Sequence, residues 1–202
     1  MRSTILSSLT VLIAATVVPL SAQVFEAGFH GGVSRLSSRT IGSTPGATAG
    51  DPRSDVELKD GWRFGVRATL NSGRFTGYEF GYAYNRTKLI IGGQDSGGMA
   101  IHQGLFNYML YGTPEGKRVR PFVTGGGQFS NFIPPGASVT QGGGDNKFGF
   151  NYGGGLKVIV TDSWLFRIDV RRYESGKPFD LVGAEGRLKQ LEISAGVSFY
   201  LH

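Results

Sequence analysis

The chain has 202 residues, enough for one domain, and no composition shift or Pro-rich linker divides it. Cysteine is absent, which excludes disulfides and thiolate metal sites. The formal charge of +6 comes from bases scattered along the chain, with no basic helix and no ribonucleoprotein-type aromatic motif, so it does not indicate a nucleic-acid partner. Thirty-three glycines and 12% aromatics, beside only 40% hydrophobic residues, suit a sheet that needs an apolar side chain at every second position.

The N-terminus carries the one long apolar run. Arg2 precedes a stretch from Ile5 to Leu20 that ends in Ser21-Ala22, the pattern of a secretory signal cut after Ala22. An uncleaved anchor helix is the rival, weakened by Ser7, Ser8, Thr10 and Pro19. The expected organisation is a signal peptide at 1–22 and one domain at 23–202.

Beyond it, apolar and polar residues alternate in segments 24–36, 61–71, 75–86, 101–112, 120–131, 147–160, 164–174 and 188–201. The last is the clearest. Leu191, Ile193, Ala195, Val197, Phe199 and Leu201 share one parity, while Glu192, Ser194, Gly196, Ser198, Tyr200 and His202 share the other. A strand keeps those sets on opposite faces and a helix would mix them.

The gaps alternate in length: 37–60, 87–100, 132–146 and 175–187 are long, while 72–74, 113–119 and 161–163 are shorter. Eight strands of bilayer-crossing length with this alternation predict an all-β fold, an eight-stranded antiparallel transmembrane β-barrel with short periplasmic turns and four longer extracellular loops. The first loop, rich in Ser, Thr, Gly, Pro and Asp, is expected to be mobile and to tolerate shortening. In the second and third strands, a three-residue turn at 72–74 would set Arg67 opposite Glu79 and Thr69 opposite Gly77 on the inner face. Gly125-Gly126-Gly127 and Gly153-Gly154-Gly155 lie within strands, where glycine permits bending and makes room for bulky neighbours.

Ser194, Gly196, Phe199 and Leu201 match the spacing of the C-terminal signal by which outer-membrane barrels are recognised for assembly. With the eight-strand pattern, the mature chain resembles the small OmpA/OmpX-type outer-membrane β-barrel family over nearly its whole length. The resemblance implies the cell outer membrane as location, outer-membrane lipid and lipopolysaccharide as surroundings, the barrel assembly machinery as a partner during biogenesis, and a monomer. Relatives that grip peptidoglycan carry a further domain after the eighth strand, which this sequence does not show, so wall anchoring is not implied.

The inward parity collects Glu26, Arg63, Arg67, Glu79, Lys157, Arg167, Asp169, Arg171 and Glu192, together with His30, Asn85, Asn107, Asn151, Gln190 and Ser194. An eight-stranded barrel is just wide enough to be filled by its own side chains, so these groups are expected to pair into a lumen network. A structural plug is favoured over a narrow pore. Arg35, Arg86, Lys88, Lys147, Arg172 and Lys189 fall near the predicted outer strand ends, where lipopolysaccharide phosphates or plain water are the alternatives.

No catalytic, cofactor or metal motif emerges. Neither glycine triplet leads into Gly-Lys-Ser/Thr or a helix, which argues against nucleotide binding. Gly142-Gly143-Gly144-Asp145 reads as flexible loop, with too few carboxylates nearby for calcium. His30, His102 and His202 lack the His-x-Ser spacing of lipid A deacylase barrels. The expected function is non-enzymatic: envelope integrity or surface interaction and adhesion, through a ligand the sequence does not name. A lipid-modifying enzyme is one alternative. A soluble lipocalin-like binder is another, and it requires the aromatic parity to point inward.

Overall fold

The computed structural model describes residues 24–37, 39–46, 48, 51–138 and 144–201. The predicted signal segment, His202 and Gly142-Gly143 lie outside the described residues. Among the described residues ten strands form, in chain order β1 (Val24–Leu36), β2 (Thr40–Ser43), β3 (Asp55–Leu58), β4 (Gly61–Asn71), β5 (Thr76–Ile91), β6 (Gln94–Tyr111), β7 (Val119–Ile133), β8 (Asp145–Ile159), β9 (Trp164–Gly176) and β10 (Arg187–Leu201).

Eight of them close a ring in the order β5-β4-β1-β10-β9-β8-β7-β6, with β5–β6 pairing completing the circuit. The closing seam joins the first and last strands, from Phe25 opposite Leu201 to Leu36 opposite Gln190. All neighbours in the ring are antiparallel. Closure leaves no free sheet edge around the wall, which is the condition for placing strands in hydrocarbon.

The faces are the reverse of a water-soluble barrel. Phe29, Phe64, Phe80, Val123, Phe148 and Ile168 stand exposed on the outside, while arginines, carboxylates and amides fill the inside. The aromatic parity points outward, which overturns the lipocalin-like alternative. Lipid is the solvent that makes this arrangement favourable. Trp62, Phe64 and Tyr84 pack together on the outer face, with ring centroids 5.5 to 5.8 Å apart. Nearer the other pole, Tyr78 packs against Phe106 and Tyr108.

Three expectations need correction. The first concerns register. β4 and β5 pair Thr69 with Glu79 and Arg67 with Gly81, two residues away from the expected alignment. The turn is longer than three residues, with Gly73 and Thr76 exchanging backbone hydrogen bonds of 3.3 and 3.4 Å. A two-residue slip leaves every side chain on its original face, so parity is right and the partner wrong.

The second concerns 37–60, expected to be a polar mobile loop. It supplies β2, a short 3-10 turn at Pro52–Ser54 and β3, which pairs with the continuation of β5, Val56 opposite Ile91 and Leu58 opposite Leu89. Ile41, Val56 and Leu58 are buried with Leu36, Leu89, Met99, Ile101, Phe132 and Leu188 in an apolar cluster at this end of the barrel. Its few apolar residues were hidden among turn formers. The third concerns 87–100, where β5 and β6 continue as one hairpin to a Gly92-Gly93 turn, both glycines at positive φ. This end is the loop pole, and the end holding Val24 and Leu201 is the turn pole.

Candidate functional site in the barrel lumen

Each inward side chain is placed by strand alternation and then crossed by partners from strands on the far wall. At the turn pole, Lys157 Nζ of β8 lies 2.6 Å from Glu26 Oε2 of β1 and donates to Tyr111 Oη at 2.9 Å. Asn71 Nδ2 donates to the other Glu26 oxygen at 2.7 Å. Beside them Arg120 is buried over the Tyr111 ring, 3.8 Å from its centroid, with Nη1 2.6 Å from Glu115 Oε2 of the β6–β7 turn.

The middle layer is the densest. Glu79 of β5 faces Arg167 at 2.6 Å and Arg171 at 2.7 Å, both on β9. Asp169, between those arginines in sequence, contacts Arg167 at 2.8 Å, Arg171 at 3.0 Å and Arg67 at 2.8 Å. Arg67 Nε also donates to His30 Nδ1 at 3.2 Å. Two carboxylates thus bridge three guanidiniums in a shared, multiply bonded cluster, in which each buried charge has an opposite partner.

Above it Glu192 accepts from Tyr173 Oη at 2.6 Å and lies 3.0 Å from Arg63 Nε and 3.8 Å from His30 Nε2. Arg63 also donates to Tyr173 Oη at 3.1 Å and to Gln103 Oε1, and Gln103 donates to Ser130 and Gln190. The apolar cluster of the loop pole follows, with Ile101 and Met99 on β6 directly beyond Gln103 on the same inward parity.

Glycines make this packing possible at two places. A Cβ at Gly153 would stand 2.2 Å from the Val170 carbonyl and 3.0 Å from Arg171 Cγ. One at Gly155 would meet the Phe122 ring at 2.7 Å. Room for the middle layer is therefore taken from the wall.

Every lumen residue expected from the sequence faces inward and is buried, and all nine charged ones join the network. The expected pairing of Arg67 with Glu79 is replaced by Arg67 with Asp169 and Glu79 with Arg167 and Arg171. Arg120, Tyr111 and Gln103 were missed. Arg120 alternates with Val119, Pro121 and Val123, so parity alone marks it as inward; the aromatic Phe122 on the same face obscured the signal.

The bases near the strand ends do not form one set. Arg35, Arg86 and Lys88 are exposed on the outer face at the loop pole. Lys147 has the inward parity and is held by Asp145 and Asp180 at 3.2 and 2.8 Å. Arg172 pairs with Glu174 at 3.3 Å, and Lys189 stands opposite Glu174 in the sheet. In the C-terminal segment, Ser194 is buried inward and Gly196 packs against His30, while Phe199 and Leu201 are exposed outward at the turn pole. His102 faces outward, with Nδ1 2.5 Å from Tyr82 Oη.

A closed ring of strands, apolar outside and ion-paired inside, defines an integral membrane β-barrel. Among solved structures the chain is similar to the outer membrane protein OprG from Pseudomonas aeruginosa at a TM-score of 0.60, with 13% identity over 89% of this chain and 97% of that one. It is also similar to Neisserial surface protein A, at 0.55 with 15% identity over 88% and 95%. The N-terminal barrel domain of OprF from Pseudomonas aeruginosa gives 0.53 with 13% identity over 89% and 97%. No curated protein matches the chain. Residues 8–200 match the outer membrane protein beta-barrel domain family, and the chain belongs to it. It is a protein of the cell outer membrane.

Proposed function

We propose that the protein is a non-enzymatic barrel with a closed lumen, which serves envelope integrity and surface interaction through its loop pole. One observation carries the reading. Arg63, Arg167, Arg171, Lys157, Glu79 and Glu192 are each no more than 2% exposed, although all six are charged and face the lumen. Side chains from opposite walls that pack this closely support a lumen filled by the barrel's own residues.

The loop pole then becomes the working surface. Outer-membrane barrels turn their longer connections to the outside. Here those connections carry β2, β3 and the β5–β6 extension, joined by a buried apolar cluster, so the barrel presents a shaped surface rather than loose chain. A surface of this kind suits contact with the envelope or with another cell.

Cells lacking the chain, cells with the native chain, and cells with a variant shortened between Gln94 and Gly98 test this by detergent sensitivity and by surface attachment. The native chain restores both where the shortened one does not. Equal restoration by the two variants contradicts the role given to the loop pole. Mass spectra of lipid A from the same cells decide the enzyme alternative: an acyl chain or phosphate altered only when the native chain is present would replace the non-enzymatic reading.

A further inference from the structure

On the outer face at the loop pole the sheet divides. β4 begins at Gly61, whose last partner on β1 is Ser34; before it the Lys59 N–H donates to the Lys88 carbonyl of β5, and β3 takes the edge of β5 beyond. The division leaves a cleft of about 720 Å³ between β1 and β5. One side is apolar, formed by Val33 and Trp62, which pair across β1 and β4, and the buried Ser34 and Thr87 also line it. Its rim is basic, with Arg35, Arg86 and Lys88.

The charges there are uneven. Lys88 is engaged by Asp95 at 2.6 Å. Asp60, the carboxylate of the cleft, accepts from the Leu36 backbone N–H at 2.9 Å and lies 3.5 Å from Arg39. Arg35 and Arg86 have no acidic partner among the described residues. Arg86 lies over Gly98, where a Cβ would stand 2.2 Å from its Nη2, so the absence of a side chain on β6 gives the guanidinium its seat. It sits opposite Trp62 in the sheet, one step above the packed Trp62, Phe64 and Tyr84 rings. Trp and Tyr mark the depth at which headgroups begin.

We propose that this cleft binds the phosphorylated headgroup of an outer-leaflet lipid. A phosphate monoester sits between Arg35 and Arg86, and the start of an acyl chain lies on Val33 and Trp62. Guanidinium forks match phosphate oxygens bidentately, and the low polarity of the adjoining lipid strengthens the pair. The apolar side formed by Val33 and Trp62 distinguishes a lipid-borne phosphate from a free one. The proposal deepens the envelope role given above, but it rests on the outward face of the wall and holds whether or not the lumen conducts.

The chain has two tryptophans, and Trp164 lies at the turn pole, so Trp164→Phe leaves Trp62 as a single fluorescent reporter inside the cleft. That variant, in nanodiscs of zwitterionic phospholipid, is titrated with bisphosphorylated lipid A, with the same glycolipid after removal of its phosphates, and with inorganic phosphate. The expected result is a saturable change in Trp62 emission with the phosphorylated lipid alone. In the background of Arg35→Gln with Arg86→Gln the half-saturating mole fraction rises about tenfold or more. Lys117→Gln with Arg118→Gln removes equal charge at the turn pole and leaves the titration unchanged. Heat-modifiable migration verifies that each variant is folded. An equal response to the dephosphorylated lipid, an equal response to inorganic phosphate, or a titration insensitive to the arginine changes overturns the site.

Discussion

Arg167 Nη1 lies 2.6 Å from Glu79 Oε2, joining β9 to β5 across the barrel interior, and Arg171 of the same strand reaches the other Glu79 oxygen at 2.7 Å. One carboxylate thus holds two guanidiniums that would otherwise repel each other. Glu79→Ala is expected to cost about 3–5 kcal/mol, because it leaves buried charge without compensation. Glu79→Gln, which keeps an acceptor, should cost less. Urea unfolding of the protein in lipid vesicles measures both, and equal stabilities for the two variants would show that the carboxylate is not the centre of the layer.

The outward face predicts a second contrast. Ile168 is 45% exposed near the middle of β9, between Phe166 and Val170 on the same face. Ile168→Arg is expected to lower stability in a bilayer by ~2 to 4 kcal/mol, whereas Thr48→Arg in the first connection stays in water and costs little. Folding yield into vesicles separates them. Similar yields would mean that β9 does not present this face to lipid.

The apolar cluster at the loop pole predicts that the first connection is part of the fold. Leu58 and Ile41 are fully buried there. Leu58→Ala should destabilise the cluster by about 2–5 kcal/mol. The effect should be local: amide exchange in β2, β3 and the tip of the β5–β6 hairpin accelerates while the transmembrane part stays protected. Uniform acceleration over the whole barrel would make the cluster a keystone of global stability instead.

Acid should release the last connection. Lys147 Nζ, 2.8 Å from Asp180, holds that carboxylate below the usual aspartate range by hydrogen bonding and charge. A depressed carboxylate contributes its hold above its unfolded value, about 3.9, and loses it as pH falls through the lower folded value. Proteolytic nicking of 177–186 should therefore stay constant from neutral pH to about pH 4 and rise below it, with Asp180→Asn nicked readily throughout. A rise that begins near pH 6 would assign the hold to another group.

What the sequence reveals of this molecule follows from the period of two. Alternation fixes the face of each residue, so the sequence alone marks Glu26, Arg67, Asp169 and Glu192 as inward and the wall aromatics as outward. Alternation is blind to a slip of two residues, and too short a β4–β5 turn places Arg67, rather than Thr69, opposite Glu79. Partners across the lumen were beyond reach in principle, since Arg167 and Glu79 meet through ring closure rather than adjacent pairing. β2 and β3 escaped because four-residue strands such as Thr40–Ser43 and Asp55–Leu58 show too little alternation beside turn formers. The cleft at Arg35 and Arg86 arises where β4 begins late, a property of register that composition does not record.

The closed lumen is the centre of the account, and single-channel recording in planar bilayers tests it most directly. The purified native protein should insert and pass little current, while Arg167→Ala, which removes one of the two guanidiniums joining β9 to Glu79, should conduct measurably more in the same membrane. Large, steady conductance by the native protein would contradict the closed lumen and make the buried charges the lining of a pore.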